Sequence, residues 1–362
     1  MNKLELTKPD GRGITLYSHH AIGLGVSAPA PAPGPGIAAD PHFRWHPLRA
    51  EWVAYASFRQ SRTFMPPPQF NPLAVTTDWQ NPTEMPPGDY DIAVFDNRFP
   101  TLSLQARDAP QSIVPTLPAK GKCEVVVYTQ NASAALAHLP LSHFCLLFEV
   151  WADRTQILGA RDDIQFVLPF ENRGVEVGVT LHHPHGQIYA YPFIPPVPQR
   201  MGEEEQVYFK LHQRPLLQDF VEHEIQDNQR LLYLGPHAVA FVPACARYPY
   251  EVWVAPIKGV ANFQDITTEV RMDLARAFKT VLLKYEGLWQ RPFPYLMVWY
   301  QAPSDGHKHP ESHLHAEFYP PYRSSERLKY LAGTELGAGM FANDALPEEK
   351  AKELQAIAVM LS

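Results

Sequence analysis

The stretch His182-His183-Pro184-His185-Gly186-Gln187-Ile188-Tyr189-Ala190-Tyr191 is the most informative part of this chain. In an extended segment, residues two apart lie on the same face, so His183, His185 and Gln187 are expected to point the same way. Pro184 lacks a backbone donor and fixes φ, which limits how far the two imidazoles can move relative to each other. A pair of structural histidines on a strand would give the same pattern, so the neighbouring sequence has to decide between the two interpretations.

The side chains of this stretch suit the transfer of a phosphorus-containing group. A neutral imidazole can attack phosphorus when an acceptor holds its other ring nitrogen, and His185 is the candidate for this role. The amide of Gln187 could donate a hydrogen bond to a phosphoryl oxygen as negative charge develops there. The stretch therefore predicts a catalytic set of His185 and Gln187, with His183 beside them.

Composition restricts the class of protein and its partners. The chain has 362 residues, 45% of them hydrophobic, which is enough for two packed domains of ordinary size. The net charge of −7, without a block of Lys or Arg, argues against nucleic acid as a partner. The 3 cysteines are too scattered for a disulfide framework, and no apolar run approaches membrane-spanning length. We therefore expect a protein of the reducing cytoplasm, without a membrane partner.

Strand-like and helix-like patterns occur in both halves of the chain. Runs rich in Val, Ile and aromatic residues, bounded by turn residues, predict strands at 52–56, 90–95, 124–128 and 164–168. Apolar residues at spacings of three and four predict helices at 142–154 and 266–285. Pro347 suits the first turn of a C-terminal helix.

Proline-rich segments mark two further places. Residues 27–36 combine Pro with Ala and Gly, cannot hold a helix or a strand ladder, and predict a mobile surface segment. Prolines cluster again between residues 192 and 198, where we expect the chain to leave its first domain. These positions divide the chain into 1–196 and 197–362.

Other stretches, in order along the chain, share a resemblance with the first. They are Phe43 to Val53, Phe95 to Pro100, Phe170 to Thr180, Leu314 to Pro321 and Lys329 to Glu335. Together with the His-Pro-His stretch they resemble the galactose-1-phosphate uridylyltransferase family, the nucleotidyl-transferase branch of the histidine-triad superfamily. The similarity runs from about residue 42 to the C-terminus.

The resemblance implies a fold and a reaction. The fold would be α+β, with two histidine-triad-like domains that are each an antiparallel sheet with packed helices. The first domain would carry the nucleophile and the second the residues that contact the hexose. A homodimer would transfer UMP from UDP-glucose to galactose 1-phosphate, in galactose metabolism, through a covalent uridylyl group on His185. Two successive displacements let one phosphate pocket serve both sugars.

The resemblance also assigns residues to each part of the substrate. Those matched to the nucleotide and its phosphates are Arg59, Arg62, Asn97, Asn172, Gly178 and Thr180. Those matched to the hexose are Lys329, Thr334 and Glu335, and a carboxylate can accept two sugar hydroxyls. Phe341 stands where some members carry a sugar-binding glutamine, and Asn343 is close enough in sequence to substitute for it.

The chain departs from the family at its metal sites. Of the ligand positions of the family's structural zinc, only His183 remains, because the others are Asn71, Ala74 and Ala132. One ligand cannot make a tetrahedral site, so we expect no metal there. The loop around residues 68–76 is expected to be held by apolar packing instead, through Phe70, Leu73 and Val75.

A second metal site of the family would use His315. Tyr300 and Glu317 stand at its other positions, which makes metal binding there doubtful.

Two other functions fit the same residues. An ADP-sugar or dinucleoside polyphosphate phosphorylase of the same branch would share the chemistry at His185 and differ in the base pocket and the acceptor. A catalytically idle nucleotide-sugar binding protein is the second alternative, although the presence of both His185 and Gln187 speaks against it.

Overall fold

A computed structural model describes residues 1–23, 25–31, 40–61, 66–67 and 70–361. Arg62, which the resemblance assigns to the phosphates, lies outside these ranges, and so does the proline-rich segment beyond residue 31. Within the described start of that segment, Ala28 packs against the apolar cluster around Leu16. That residues 27–36 form a mobile surface segment stays a prediction.

Sixteen strands and five α-helices form within these ranges. The strands are β1 (Asn2–Thr7), β2 (Gly13–Ser18), β3 (His42–His46), β4 (Glu51–Tyr55), β5 (Ile92–Asp96), β6 (Thr116–Pro118), β7 (Lys122–Val127), β8 (Phe166–Arg173), β9 (His185–Tyr191), β10 (Leu231–Leu234), β11 (Ala238–Phe241), β12 (Val252–Pro256), β13 (Tyr295–Tyr300), β14 (His315–Tyr319), β15 (Tyr322–Ser324) and β16 (Arg327–Leu328). The helices are α1 (Leu141–Gly159), α2 (Pro196–His212), α3 (Leu216–Asp227), α4 (Thr268–Trp289) and α5 (Pro347–Gln355). Every strand and helix that the sequence pattern predicts is present, with ends that differ by a few residues.

Eleven of these strands form one antiparallel sheet in the order β1-β2-β5-β7-β9-β8-β13-β14-β12-β11-β10. Strands β8 and β13 pair at the centre of the sheet. On one side β8 is followed by β9 and β7, and on the other side β13 is followed by β14 and β12. Each side contains the same unit of strand, helix, strand and strand, which is β7-α1-β8-β9 in one half and β12-α4-β13-β14 in the other. The predicted α+β fold, with antiparallel sheets and packed helices, is confirmed.

Helices α1 and α4 cover one face of the sheet. Side chains alternate between faces along a strand, so Ile188 and Ala190 of β9 belong to the core beneath these helices. Gln187 and Tyr189 consequently lie on the opposite face, where the candidate site is found. The small sheet β4-β3-β6 contributes to packing on that face, where Phe43 joins the cluster that contains Tyr189.

Aromatic rings from both halves meet in the core between the helices and the sheet. Phe148 and Trp151 of α1 lie against Phe278 of α4 and Trp299 of β13, with ring centroids 5.4–6.2 Å apart. The boundary expected near residue 196 falls at the first residue of α2. Because both halves share a sheet and a core, the division into two domains stays a prediction about the sequence.

Across the described residues, none of the helices combines the length and the apolar character needed to cross a membrane.

Candidate active site

Strand β9 places the two candidate catalytic side chains on one face near the middle of the sheet. His185 is its first residue and lies opposite Val127 of β7. Gln187 lies opposite Val125 of β7 and Phe170 of β8. Both side chains line a cavity of about 150 Å³. The arrangement that the sequence predicts for these two residues is therefore present.

One hydrogen bond defines the state of the His185 ring. Its Nδ1 lies 2.7 Å from the carbonyl oxygen of His183. A carbonyl oxygen only accepts, so Nδ1 carries the proton and Nε2 carries the lone pair. Burial lowers the pKa of His185 below its ordinary value of 6.5, because the imidazolium is poorly solvated there. A neutral ring with an unprotonated Nε2 is the form that can attack phosphorus.

His183 lies in the bend before β9, so the strand face that the sequence pattern predicts is formed by His185 and Gln187 alone. Alternation of side chains requires an extended strand, and β9 begins only at His185. The His183 ring is 2% exposed and is held from two sides. Its Nε2 donates to the carbonyl oxygen of Thr129 at 2.7 Å, and its Nδ1 lies 3.0 Å from Nδ2 of Asn71.

The side chains around His183 do not fit the structural zinc that the family resemblance implies. Zinc takes Cys, His or carboxylate ligands, whereas Asn71 presents an amide and Ala74 and Ala132 present methyl groups. Within the described ranges, no group of three or more His, Cys, Asp or Glu side chains is placed to hold a metal ion. That the protein works without a metal at this position stays a prediction.

The loop around residues 68–76 differs in part from what the sequence predicts. Leu73 is buried, and Val75 forms an isolated bridge with Met85. Phe70, however, is 69% exposed, so the expectation that it packs in the loop is wrong. The side chain of Asn71 takes the inward position instead, because its amide finds hydrogen-bond partners there.

The cavity beside His185 and Gln187 combines apolar walls with a few fixed polar groups. The apolar wall consists of Leu73, Phe95, Phe99, Val125 and Leu181. Asn97 also lines it, where its Oδ1 accepts from the Phe99 backbone at 2.8 Å and its Nδ2 lies 3.5 Å from Oε1 of Gln187. Apolar walls with a few oriented polar groups are typical of a small-molecule pocket and suit a nucleoside.

Arg59 reaches the same cavity from the 3₁₀ turn Ser57–Ser61 after β4. Its Nη1 donates to the carbonyl oxygen of Phe99 at 2.7 Å and lies 3.4 Å from the Tyr189 hydroxyl. These contacts hold a cation at the cavity that His185 also lines, and a cation held in this way could bind a phosphate. Thr180 lines the cavity as well.

A second cavity, of about 470 Å³, also opens at His185. Asn172 lines this one rather than the first, together with the His182 to His185 segment. Gly178 lies in the turn between β8 and that segment, with a left-handed φ of 78° that favours glycine. His185 therefore borders two cavities, and a substrate bound across both would place its middle at the nucleophile.

Glu171 is a buried acid beside the second cavity to which the sequence assigned no role. It is 3% exposed, and the Tyr295 hydroxyl donates to its Oε1 at 3.2 Å. Its Oε2 has no hydrogen-bond partner among the described residues. Burial raises the pKa of Glu171 to about 7. Its place between Phe170 and Asn172, in a stretch already linked to the site, was the available signal.

Two further residues of the site were missed at the sequence level. Arg98 lines the first cavity, and its signal in the sequence is its place directly after Asn97, a residue matched to the nucleotide. Asn71 is the other, and its hydrogen bond to His183 joins positions that no local sequence pattern connects.

The residues matched to the hexose form their own network at the C-terminal end. Oε2 of Glu335 accepts from the backbone of Ala332 at 3.0 Å and from the Thr334 hydroxyl at 2.9 Å, while Oε1 accepts from the backbone of Ala342 at 3.2 Å. Nζ of Lys329 lies 3.6 Å from Oε1. In the described part of the chain, none of the three lines either cavity at His185. Their assignment to the hexose stays a prediction.

The segment that contains this network contacts both halves of the protein. Arg49, in the turn after β3, donates to the carbonyl oxygen of Leu336 at 3.1 Å. Asn343, the suggested substitute for a sugar-binding glutamine, donates to the carbonyl oxygen of Ala246 at 2.9 Å. Phe341 packs its ring 5.9 Å from that of Tyr248.

Strand β14 begins with hydrogen bonds like those of the nucleophile segment. Nδ1 of His315 donates to the carbonyl oxygen of His313 at 2.9 Å, and Nε2 of His313 donates to that of Pro256 at 2.8 Å. Here, however, Nε2 of His315 lies 3.2 Å from Oε1 of Glu317. Burial opposes the charge on His315, but Glu317 outweighs it and raises the pKa of this histidine. The nitrogen that corresponds to the nucleophile is thus engaged in this half.

Comparison with known proteins gives a consistent result. Two family models match the chain, "Galactose-1-phosphate uridyl transferase, N-terminal domain" over residues 38–195 and "Galactose-1-phosphate uridyl transferase, C-terminal domain" over residues 202–361. A galactose-1-phosphate uridylyltransferase from Thermotoga maritima is 35% identical over 320 residues, which cover 86% of this chain and 97% of the relative. One from Rattus norvegicus is 31% identical over 335 residues, 87% of each chain. A solved uridylyltransferase structure aligns with a TM-score of 0.76 and 29% identity, covering 87% of this chain and 97% of the other.

Proposed function

This chain belongs to the galactose-1-phosphate uridylyltransferase family, and we propose that it transfers UMP from UDP-glucose to galactose 1-phosphate through a covalent uridylyl-histidine. The observation that carries the proposal is the neutral His185, with its proton fixed on Nδ1 and its Nε2 unprotonated. It stands where two cavities meet. The protein is accordingly a nucleotidyltransferase of galactose metabolism.

In the first displacement, the lone pair on Nε2 of His185 forms a bond to the α-phosphorus of UDP-glucose. The bond from that phosphorus to the bridging oxygen breaks, and its electron pair leaves with glucose 1-phosphate. The imidazole gains positive charge while Nδ1 keeps its proton, and the His183 carbonyl oxygen stabilises that charge. The step needs no proton transfer.

In the second displacement, a phosphate oxygen of galactose 1-phosphate attacks the same phosphorus. The bond between phosphorus and nitrogen breaks, its electron pair returns to Nε2, and UDP-galactose leaves. The same groups serve both steps because both reactions pass through the same phosphorus.

Gln187 and Arg59 are the groups placed to stabilise the phosphoryl oxygens. The contact with Asn97 orients the Gln187 carbonyl oxygen as an acceptor, which leaves its NH₂ group available to donate. Arg59 holds a positive charge at the same cavity through its contact with the Phe99 carbonyl. The apolar wall of that cavity supports binding of the nucleoside there.

The direct test is to incubate the protein with UDP-glucose labelled in the uracil ring and no acceptor. We expect label on the protein in an adduct that is lost in acid and kept in base, with release of glucose 1-phosphate. Addition of galactose 1-phosphate should then discharge the label as UDP-galactose. Failure to label the protein would contradict the proposal.

The same incubation with ADP-glucose labelled in the adenine ring tests the main alternative. Faster labelling by ADP-glucose than by UDP-glucose would favour an ADP-sugar phosphorylase of the same branch. The chemistry at His185 would be unchanged, and the difference would lie in the nucleoside cavity.

We propose in addition that the protein acts as a homodimer. The segment that carries the hexose-matched residues exposes Tyr330, Leu336 and Met340, at 74%, 61% and 63% of their surface. A cluster of exposed apolar side chains is suited to burial by a second copy. Sedimentation velocity should give twice the chain mass of 40.9 kDa, and a monomer at micromolar concentration would contradict the proposal.

A further inference from the structure

We propose that Asn71 is a positioning residue whose side-chain amide holds His183, and through it the nucleophile, so that this site needs no metal. The inference rests on the proposed function, because it concerns the same nucleophile. In the resemblance, a zinc ion would bind His183 and the residue at position 71 together. Here the two residues contact each other directly.

Two neighbouring hydrogen bonds determine which atom donates in the contact between Asn71 and His183. Oδ1 of Asn71 accepts from the backbone N–H of Leu73 at 3.0 Å, which identifies the other amide atom as the NH₂ group. Nε2 of His183 points at the carbonyl oxygen of Thr129, so that nitrogen must carry the proton. Nδ1 of His183 is therefore the acceptor, and Asn71 donates to it.

The hydrogen bond between Asn71 and His183 affects the position of His185 through the backbone of residue 183. The carbonyl oxygen of His183 accepts from Nδ1 of His185, so the position of residue 183 sets the tautomer and the direction of the reacting ring. The segment is also bound to the residue after β7, because the Tyr128 backbone N–H donates to the Pro184 carbonyl oxygen at 3.2 Å. A shift of residue 183 would consequently move the attacking nitrogen.

The other side of Asn71 reaches the nucleoside cavity. Its Oδ1 holds Leu73, which is 3% exposed and lines the cavity that His185 also borders. The carbonyl oxygen of Pro72 accepts from the backbone of Glu84 at 2.9 Å, which ties this loop to the next one. One amide thus connects the loop at the nucleoside cavity to the loop that positions the nucleophile.

A metal ion would have to replace these bonds rather than add to them. Both ring nitrogens of His183 already have partners. Ala74 and Ala132 offer no ligand atoms on their side chains, and a carboxamide is not among the usual ligands of structural zinc. The arrangement is complete as a set of hydrogen bonds.

The first experiment uses the unaltered protein and does not depend on activity. Imidazole ¹⁵N chemical shifts should show His183 neutral with its proton on Nε2, and His185 neutral with its proton on Nδ1. Elemental analysis after exhaustive dialysis against a chelator should show less than one zinc per chain without loss of uridylyl transfer. Stoichiometric zinc whose removal abolishes transfer would overturn the inference.

The second experiment compares two substitutions of Asn71. Asn71→Leu removes both hydrogen bonds and keeps the branched shape of the side chain, whereas Asn71→Asp keeps the acceptor for Leu73 and loses the donor to His183. We expect both variants to slow single-turnover adduct formation by roughly 10- to 100-fold, the range for groups that orient a functional histidine. We also expect both to change the ¹⁵N signature of His183.

A matched control and the contrary outcomes make this experiment decisive. Asn81→Ala removes a loop hydrogen bond of 2.9 Å to Asp78 on the surface and should leave the rate unchanged. Activity of Asn71→Asp equal to that of the unaltered protein would reduce Asn71 to a loop anchor and overturn the inference. No adduct from UDP-glucose in the unaltered protein, with the expected ¹⁵N tautomers and no zinc, would instead reject the proposed function alone.

Discussion

At the scale of single residues, the proposed reaction depends on one nitrogen of His185. Replacing His185 by glycine should abolish the uridylyl adduct, because the attacking atom is removed while the strand backbone remains. Gln187→Ala should slow adduct formation by about 10²–10³-fold, the usual effect of losing one donor to a developing oxyanion. Single-turnover labelling with UDP-glucose measures both, and His20→Ala, at an exposed imidazole, is the control. An undiminished adduct in His185→Gly would rule out this assignment.

The state of the same residue predicts how the reaction depends on pH. His185 must be neutral to attack, and burial lowers its pKa below 6.5. Half of the molecules therefore carry a protonated His185 only at a pH below that value. The labelling rate should therefore still exceed half of its plateau value at about pH 6.5 and reach its midpoint only at lower pH. A rate already halved at about pH 6.5 would show that the histidine has its ordinary pKa.

At the scale of secondary structure, β9 fits closely against its neighbours at Gly186, between the two catalytic side chains. A Cβ added there would lie 2.1 Å from the Tyr128 hydroxyl and 2.9 Å from the Phe170 carbonyl oxygen. Gly186→Ala should therefore destabilise the protein by roughly 1–3 kcal/mol, as overpacking does, and slow adduct formation by displacing the strand. Urea unfolding and labelling measure the two effects.

The control for this prediction is Gly202→Ala in α2, where an added Cβ meets nothing within 4 Å. Alanine is favoured over glycine inside a helix by about 1 kcal/mol, so this variant should be as stable as the unaltered protein or more so. A Gly186→Ala protein of unchanged stability would show that the Tyr128 ring moves away without cost.

The segment from residue 329 to 342 is held by the carboxylate of Glu335. Hydrogen bonds, led by the one from Ala342, lower the pKa of Glu335 to about 2. Because the folded pKa lies below the ordinary value of 4.5, the stabilisation is complete above about pH 4.5 and is lost as the pH falls towards 2. Relative to the intrinsic rate at each pH, hydrogen exchange at the Ala332 and Ala342 amides should therefore become faster over this range. It should already be faster at neutral pH in Glu335→Gln.

The same variant distinguishes a role of Glu335 in binding the sugar from a role in stabilising the fold. We expect Glu335→Gln to weaken transfer to galactose 1-phosphate more than adduct formation from a simple uridine nucleotide donor, because the hexose lies away from the phosphorus. Glu326→Gln, at an exposed carboxylate in the preceding turn, should change neither. Equal losses in every reaction for Glu335→Gln would mean that the residue supports the fold or the phosphate pocket.

The part of this architecture that could be predicted from sequence is the part that depends on local pattern. Alternation placed His185 and Gln187 on one face, and apolar spacing found the helices that cover the other. The contact between Asn71 and His183 spans 112 positions of sequence, and no local pattern contains it. Glu171 stands in a stretch that the sequence links to the site, but its burial depends on strands β8 and β13 pairing across the two halves.

At the scale of the whole molecule, the two halves are joined by a sheet and by a core. Strand β8 pairs with β13 across the boundary between the halves, and Phe148 of the first half packs its ring 5.4 Å from that of Trp299 of the second. Contacts of this kind couple the stability of one half to that of the other. The nucleophile lies on β9, next to this junction, so its geometry depends on both halves.

Trp299→Ala tests this coupling. Trp299 is fully buried, and its loss should destabilise the protein by about 3–5 kcal/mol, as for other large aromatic residues in cores. Trp79→Ala, at a tryptophan that is 54% exposed, should change stability by less than about 0.5 kcal/mol. If the shared core governs unfolding, β7 of the first half and β12 of the second should lose protection from hydrogen exchange at the same denaturant concentration. We expect this in the unaltered protein and in Trp299→Ala. Loss of protection in β12 well before β7 would show that the two sequence domains unfold separately, and the site on β9 would then depend mainly on the first of them.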